Sequence, residues 1–468
     1  MGGEQASVLG ARETRLKNIY LFSKYTPTLT TSRAIVLLSR AALLRQYALW
    51  QAHLPFIRPF YAVKSNPDPH LLRWMRQIGK TDSPNQGTGC GVDCASPAEM
   101  QRALAAGFQP SDILYANPLK AKGDLKAAMK LGVRRTTIDS VEGAEQLQAH
   151  GENMEAIVRI AVDDAGSRSP FSVKFGAQRD EWRQVINAMR YCGIRFGGVS
   201  FHVGSASGST TAWGDAIRRC REFQQVCGLT RIPTLDIGGG FLPNGWHFAQ
   251  AAQGIVQALA DWRTTVSPVG SPPESVIAEP GRFFSAPVET LIVPIIFKKE
   301  STDRVRYVLD DSVYGQFSNI VFDHSKPAWR LWNNHRQSVA APKGTKQALF
   351  FGRTCDSLDL IATQDNAPQY KVGDRLVFPW MGAYTSASAT RFNGFELPKR
   401  VYLEREGGPW AGMFEEAGVA GEDHMVGVHY PIETVSNIPL SVLCGGAGGG
   451  GAGGGGAGAG KKRKEELR

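Results

Sequence analysis

The chain has 468 residues, enough for two or three domains, and its 42% hydrophobic and 21% charged content excludes global disorder. No apolar run approaches the ~18 residues that a membrane span needs, and the N-terminus shows no long apolar signal stretch. The net charge of +10 is not a nucleic-acid signature: five positive and two negative side chains of it lie in the closing segment KKRKEELR, and no nucleic-acid motif accompanies the rest.

At the start, MGGEQA places Ala6 where a myristoylation signal needs Ser or Thr, so no lipid anchor is expected. From residue 34 to 285, short apolar segments recur in order: PFYAV (59–63), VDCA (92–95), DILYA (112–116), RTTID (135–139), AIVRIA (156–161), GGVSFHV (197–203), TLDIG (234–238) and SVIAE (275–279). Helical patterns separate them. HLLRWMRQI has apolar residues at 71, 72, 74, 75 and 78, close to a 3.6-residue period. SPAEMQRALAAG offers Ser96 as an N-cap, Glu99 three residues on and a closing Gly107. DAIRRCREFQQVCG (215–228) likewise ends at glycine. Eight buried strands alternating with helices over ~250 residues predict an α/β fold with a (β/α)8 TIM-like barrel over 34–285.

After residue 285 the texture changes. VETLIVPIIFKK, RVRYVLDD, QALFFG, DRLVFPW and RVYLERE are β-rich without long helices between them. They predict a mainly antiparallel β-sheet domain over 286–440, joined by residues 1–33. Residues 445–460 contain only Gly and Ala, a coreless tract, and 445–468 is expected to be a disordered low-complexity tail. Its KKRK is either a solvated end or a nuclear-import patch. Seven scattered cysteines, with no zinc-like spacing at Cys90 and Cys94, point to free thiols in a reducing compartment and to no metal.

Barrel chemistry gathers where strands end. Those positions hold Lys64, Asp93, Asn117, Asp139, Arg159, His202, the run Gly238-Gly239-Gly240, and the run Glu279-Pro280-Gly281-Arg282. Lys64 closes the apolar run of RPFYAVKSN (58–66), where an ammonium either reaches for water or serves as a Schiff-base amine. Three glycines let backbone amides approach an anion, and Arg282 adds a guanidinium; a phosphate is the fitting guest. No P-loop Lys-Ser/Thr follows, which argues against ATP. Amine, acid, imidazole and phosphate site together suggest pyridoxal 5′-phosphate.

PFYAVKSN, VDCAS, ILYANP, VRIAVDD, SVKFGA, GVSFHVGS, LDIGGGF, AEPGR, VYGQF, FDH, TCDSLD, MGAYT and FNGF occur in that order between about residues 34 and 403. In them the chain resembles the eukaryotic ornithine decarboxylases, of the alanine-racemase-like fold type of pyridoxal phosphate enzymes. The resemblance implies decarboxylation of ornithine to putrescine, the first step of polyamine biosynthesis. It implies that Lys64 binds the cofactor aldehyde, His202 stacks on its ring and Glu279 pairs with the ring nitrogen. Ser205, Gly238, Gly239, Gly240, Pro280, Gly281, Arg282 and Tyr384 would surround the phosphate, with Asp93 and Arg159 as polar support. Asp323 and Asp356, next to Phe322, would receive the substrate's distal ammonium, and Cys355 would return a proton to Cα. Cys355 and Asp356 would act in the partner's site of a head-to-tail homodimer. Bland roles stand beside these: Asp93 as a helix cap, Cys355 as a small buried residue.

The chain also departs from the family. Residues 79–91 are longer than the usual turn, Phe322 stands where Tyr is usual, and Arg353 adds a positive charge near the expected site. The alternatives are a decarboxylase of lysine or arginine, or an inactive regulator of the antizyme-inhibitor kind. Such regulators lose cofactor residues; this chain keeps Lys64, His202, Glu279, Arg282 and Cys355. The basic segment 119–135, with Lys122, Lys126 and Lys130 on one helical face, lies where relatives bind antizyme, and an exposed barrel helix would read the same. The expected location is the cytoplasm.

Overall fold

A computed structural model describes residues 33–78, 89–151, 153–264, 270–332 and 346–404. Residues 1–32, most of the 79–91 insertion and the Gly/Ala and KKRK tail lie outside these.

The chain enters through β1 (Ile35–Ser39) and α1 (Arg40–His53), then runs β2 (Arg58–Ala62), α2 (Pro69–Gln77), β3 (Gly91–Cys94), α3 (Pro97–Ala105), β4 (Ile113–Tyr115), α4 (Lys122–Lys130), β5 (Arg135–Ile138), α5 (Val141–His150) and β6 (Glu155–Arg159). A small strand β7 (Ser167–Ser169) precedes α6 (Trp182–Tyr191) and β8 (Arg195–Ser200). Its partner β9 (Ser205–Ser207) precedes α7 (Ala212–Val226), β10 (Thr234–Asp236), α8 (Gly245–Thr264), β11 (Ser275–Ala278) and the short α9 (Arg282–Ser285). Strands β2, β3, β4, β5, β6, β8, β10 and β11 close into a parallel barrel, β11 pairing back onto β2. These are the eight segments the apolar pattern predicts. Ser96 caps α3 as expected, its hydroxyl accepting the Glu99 N–H while Glu99 Oε2 accepts the Ala95 N–H at 2.7 Å.

Only the four-residue α9 follows β11, so another helix must cover that side of the barrel. It is α1, which precedes the first barrel strand. Its Trp50 is fully buried against Phe241, Phe248, Phe283 and Phe284, with ring centroids 5.4 to 5.8 Å apart, and its indole N–H donates to the Ile57 carbonyl at 2.9 Å.

The second sheet contains β12 (Glu289–Glu300), β13 (Arg304–Leu309), β14 (Arg330–Leu331), β15 (Gln347–Phe351), β16 (Leu360–Gln364), β17 (Arg375–Phe378) and β18 (Lys399–Leu403), with a short helix α10 (Ser318–Phe322) after β13. Most pairings are antiparallel; β13 with β15 and β1 with β18 are parallel. One boundary differs from expectation. Residue 34 does not open the barrel, because the wholly buried run IVLLS of β1 fits between β12 and β18 of the sheet. An all-buried apolar strand needs cover on both faces: Val36 and Leu38 join the main core, while Ile35 and Leu37 pack with Ile292 and Val377.

Replacing Trp50 by Ala removes the cover at the β11–β2 seam. The expected loss is about 3–5 kcal/mol, read as a lowered denaturant midpoint with unchanged barrel secondary structure at low denaturant.

Candidate active site

The barrel interior is plugged by a small apolar cluster, Phe60, Leu114, Ile157 and Ile277. Side chains alternate along a strand, so residues two steps beyond these share their side. Arg159 follows Ile157 and Glu279 follows Ile277 in this way. Register puts Asp93 beside Leu114, Ser200 beside Arg159, and Asp236 between Ser200 and Ile277. A polar layer therefore sits on an apolar floor at the C-terminal ends of the strands.

Lys64 enters this layer from the 3₁₀ turn Val63–Ser65 that follows β2. Its side chain is 42% exposed toward the barrel mouth, with Nζ 3.8 Å from Asp93 Oδ2 and 5.9 Å from the Phe171 ring. Burial works to lower the pKa of this amine, but Asp93, Tyr384 and Glu279 outweigh it, and the net direction is upward. The Asp93 carboxyl is itself pushed up by burial, against the pull of Lys64 and Arg159, and its Oδ2 has no hydrogen-bond donor. His202 is buried beside Phe171, ring centroids 4.8 Å apart. Burial, then Arg159 and Lys64, holds its pKa well below the usual imidazole value. Its Nδ1 accepts the Gly204 N–H at 3.0 Å, which assigns the proton of the neutral ring to Nε2. Glu279 is raised well above the carboxylate range by burial first, then by Asp236 and Asp93.

Beside this cluster lies a cradle. Gly238 and Gly240 have φ of +62° and +96°, where side chains are strained. A Cβ on Gly239 would stand 2.6 Å from the Glu279 carbonyl and 3.0 Å from His202 Nε2. Arg282 is buried next to it and donates to Ser205 Oγ at 2.9 Å, with the Tyr384 ring 4.9 Å from its guanidinium carbon; its Nε has no partner. Arg282 also makes a bidentate pair with Asp323, at 2.7 and 2.5 Å, and Arg168 lies 3.6 Å from the same carboxylate. Two residues that the resemblance assigned to separate ligands, Arg282 to phosphate and Asp323 to substrate, are thus joined directly. Both are buried and of opposite charge, and pairing offsets the desolvation that each suffers alone. Phe322, at the end of α10, is 68% exposed.

Cys355 and Asp356 lie elsewhere, on the loop from β15 to β16. Cys355 is exposed and its N–H donates to Asn393 Oδ1 at 3.0 Å. Asp356 accepts the Tyr314 hydroxyl and, at 2.9 Å, the Leu358 N–H. Neither joins the Lys64 cluster within one chain among the described residues. The loop is braced by buried Asp359, which accepts the Val313 N–H at 2.9 Å and both the N–H and hydroxyl of Thr354 at 3.0 and 2.6 Å. The extra charge of Arg353 is not free: it pairs with Asp310 at 2.5 Å and lies 4.2 Å from the centre of the Phe395 ring.

The structure adds Asp236, Phe171, Arg168, Tyr314 and Asp359 to the residues the sequence singled out. Asp236 alone had a readable signal, since it opens DIGGGF at an inward position of its strand. The others act through partners distant in the chain.

An amine at the barrel mouth, a neutral imidazole, an acid whose pKa burial raises, and a cradle too tight for any Cβ suit a ring that bears an aldehyde and a phosphate. Residues 40–286 match the family model described as "Pyridoxal-dependent decarboxylase, pyridoxal binding domain". The chain belongs to the pyridoxal-dependent decarboxylases. It is 37% identical to ornithine decarboxylase of Schizosaccharomyces pombe over 372 residues, which is 77% of this chain and 81% of that protein. It is 34% identical to antizyme inhibitor 2 of Xenopus laevis over 370 residues, covering 75% and 77% of the two chains. Among solved structures, arginine decarboxylase of Paramecium bursaria Chlorella virus superposes with a TM-score of 0.72 at 28% identity, covering 82% of this chain and 100% of that one. The match to decarboxylase structures accords with the expected barrel and sheet, and pyridoxal phosphate is the cofactor of this decarboxylase fold.

Gly239→Ala would drive a methyl into the Glu279 carbonyl. Cofactor affinity is expected to fall about tenfold or more, equivalent to at least ~1.4 kcal/mol, measured by titrating the absorbance of bound cofactor, while circular dichroism stays unchanged.

Proposed function

We propose that the protein decarboxylates L-ornithine to putrescine and CO2, the first step of polyamine biosynthesis, as its curated relatives named ornithine decarboxylase do. The observation that carries this is the placement of the Lys64 amine beside Asp93 above an apolar barrel floor, with neutral His202, Glu279 whose pKa burial raises, and the glycine cradle next to it.

Bound pyridoxal phosphate supplies the electron sink for the pair of electrons left when the carboxylate departs as CO2. Lys64 Nζ would hold the cofactor aldehyde, with Asp93, 3.8 Å away, as the counter-ion of that amine. His202, uncharged, packs on the ring without adding a positive charge above it. Glu279 keeps a proton beside the ring nitrogen. The amides of Gly238–Gly240 and Gly281, with Ser205, Arg282 and Tyr384, bind the phosphate; Pro280 fixes the turn between Glu279 and Gly281, and Arg159 supports the ring side.

Cys355 Sγ returns a proton to Cα, and Asp356 receives the distal ammonium together with Asp323, beside Phe322. A carboxylate ~4 Å from an ammonium contributes roughly 4 kcal/mol at an effective dielectric of 20. Arg282 and Arg168 already answer part of Asp323's charge, so Asp356 carries much of the attraction. Both loop residues serve the partner's site in a homodimer. The apolar side chains exposed around them, Leu358 at 78% and Phe392 at 40%, support an interface there. The α4 helix buries Leu125 and Ala128 and turns Lys122, Lys126 and Lys130 outward, which supports antizyme binding through 119–135. No helix of the described residues is long and apolar enough to cross a membrane, and a cytoplasmic location fits.

Purified protein with pyridoxal phosphate should release CO2 from ornithine in preference to lysine, arginine and diaminopimelate. Release from none of them would favour the antizyme-inhibitor reading. Lys64→Ala and Cys355→Ala should each be inactive alone, and mixing the two should restore activity. No restoration on mixing would remove the shared site.

A further inference from the structure

Asp236 ends β10 and has no role in the scheme above. It is wholly buried. Its Oδ1 accepts the Gly238 N–H at 2.9 Å, while Oδ2 receives no donor from the protein. Register sets Asp236 beside Ile277, and Glu279 lies two residues further along on the same side. The backbone ties the two ends together, the Glu279 N–H donating to the Gly238 carbonyl at 2.6 Å. The two carboxyls act directly on each other's titration. Two carboxylates are both acceptors, so a hydrogen bond between them requires a shared proton.

We propose that Asp236 is a positioning residue that shares one proton with Glu279, fixing that carboxyl and holding the proton where the cofactor's ring nitrogen is read to sit. The proposal rests on the functional reading given for Glu279. Among the described residues neither carboxyl forms an ion pair with a lysine or arginine; Arg135, the guanidinium facing Asp236 from β5, pairs with Glu155 at 3.4 Å instead. Asp93 from β3 adds repulsion to both, while Lys64 and Arg159 draw Glu279 toward ionisation without offsetting its burial. The Cys220 thiol facing Asp236 from α7 is pushed up and stays neutral. Burial moves Asp236 from 3.8 up to about 7, with the Gly238 N–H and Glu279 pulling back.

The sign of the pH effect follows. A carboxyl raised in the folded state binds more protons there than in the unfolded chain, so stability falls as pH rises from the ordinary carboxylate range toward about 7. Asp236→Asn keeps the Oδ1 acceptor and the shape but removes the shared proton. The full chain carrying it should match or trail the wild type in thermal midpoint at pH 4 and gain on it by pH 8. After loading with pyridoxal phosphate, the absorbance of the bound cofactor should titrate at lower pH in the variant, with kcat falling more than KM. A pH–stability slope and a cofactor titration both equal to the wild type would overturn the proposal. If Asp236→Asn does not fold, Glu279→Gln must show the same loss of slope, and its retention would overturn the idea equally. A wild-type chain that releases no CO2 yet shows the slope would sink the functional reading and leave the carboxyl pair standing.

Discussion

The site depends on one buried network that joins the barrel to the sheet. Glu289, at the start of β12, is fully buried and accepts the Asn66 side-chain amide at 2.7 Å and Arg400 at 3.1 Å. Arg400, from β18, also holds Asp68 at 2.6 Å, and Asp68 caps α2. Asn66 and Asp68 follow directly on the turn that carries Lys64. The same turn is gripped by the Tyr384 N–H on the Ser65 carbonyl at 2.9 Å, and by Ser65 and Ser285 hydroxyls 2.6 Å apart. Burial pushes Glu289 up while Arg400 and Asn66 pull it down. A buried ionic network of this kind contributes little net stability; its consequence is geometric. The position of the amine over the barrel is set by residues from both domains, so neither domain alone builds the site.

That arrangement explains what was legible in the sequence. The barrel strands were, because each is a short apolar run bounded by polar or glycine-rich segments: DILYA, for example, brackets the observed Ile113–Tyr115. The strand-end residues followed from the fold rule for barrels. What was not legible depends on contacts between distant positions. Arg353 read as a stray charge near the site; Asp310, 43 residues away, holds it. Asp323 read as a substrate ligand only, and its pairing with Arg282 needs α9 and α10 brought together. β1 read as the edge of the barrel because an apolar run does not declare which sheet will cover it.

The loop of Cys355 poses a further constraint. Asp359 spends its carboxylate on three donors of the loop and the turn before α10, and a Cβ on Gly352 would meet that carboxylate at 2.2 Å. So rigid a brace, holding an exposed thiol and carboxylate away from the Lys64 cluster of their own chain, suits groups that are presented to something outside the protomer. Exposed Leu358 on the loop and Phe392, stacked on the Tyr314 that bonds Asp356, give that face apolar area of the kind a second copy would cover.

Charge balance in the polar layer argues the same economy of groups. Around Glu279, its own carboxyl and those of Asp93 and Asp236 face two cations, Lys64 and Arg159, above an apolar floor. Fully ionised, this group would carry one excess negative charge in a low-dielectric setting, where each uncompensated charge is costly. Neutralising it on His202 is disfavoured, because burial and the same two cations keep that ring uncharged. Neutralising it on Asp93 would strip Lys64 of the carboxylate at 3.8 Å. The remaining place for one proton is between Asp236 and Glu279. With it there this group is neutral, the lysine keeps its counter-ion, and the acid of the site is set without any further cation.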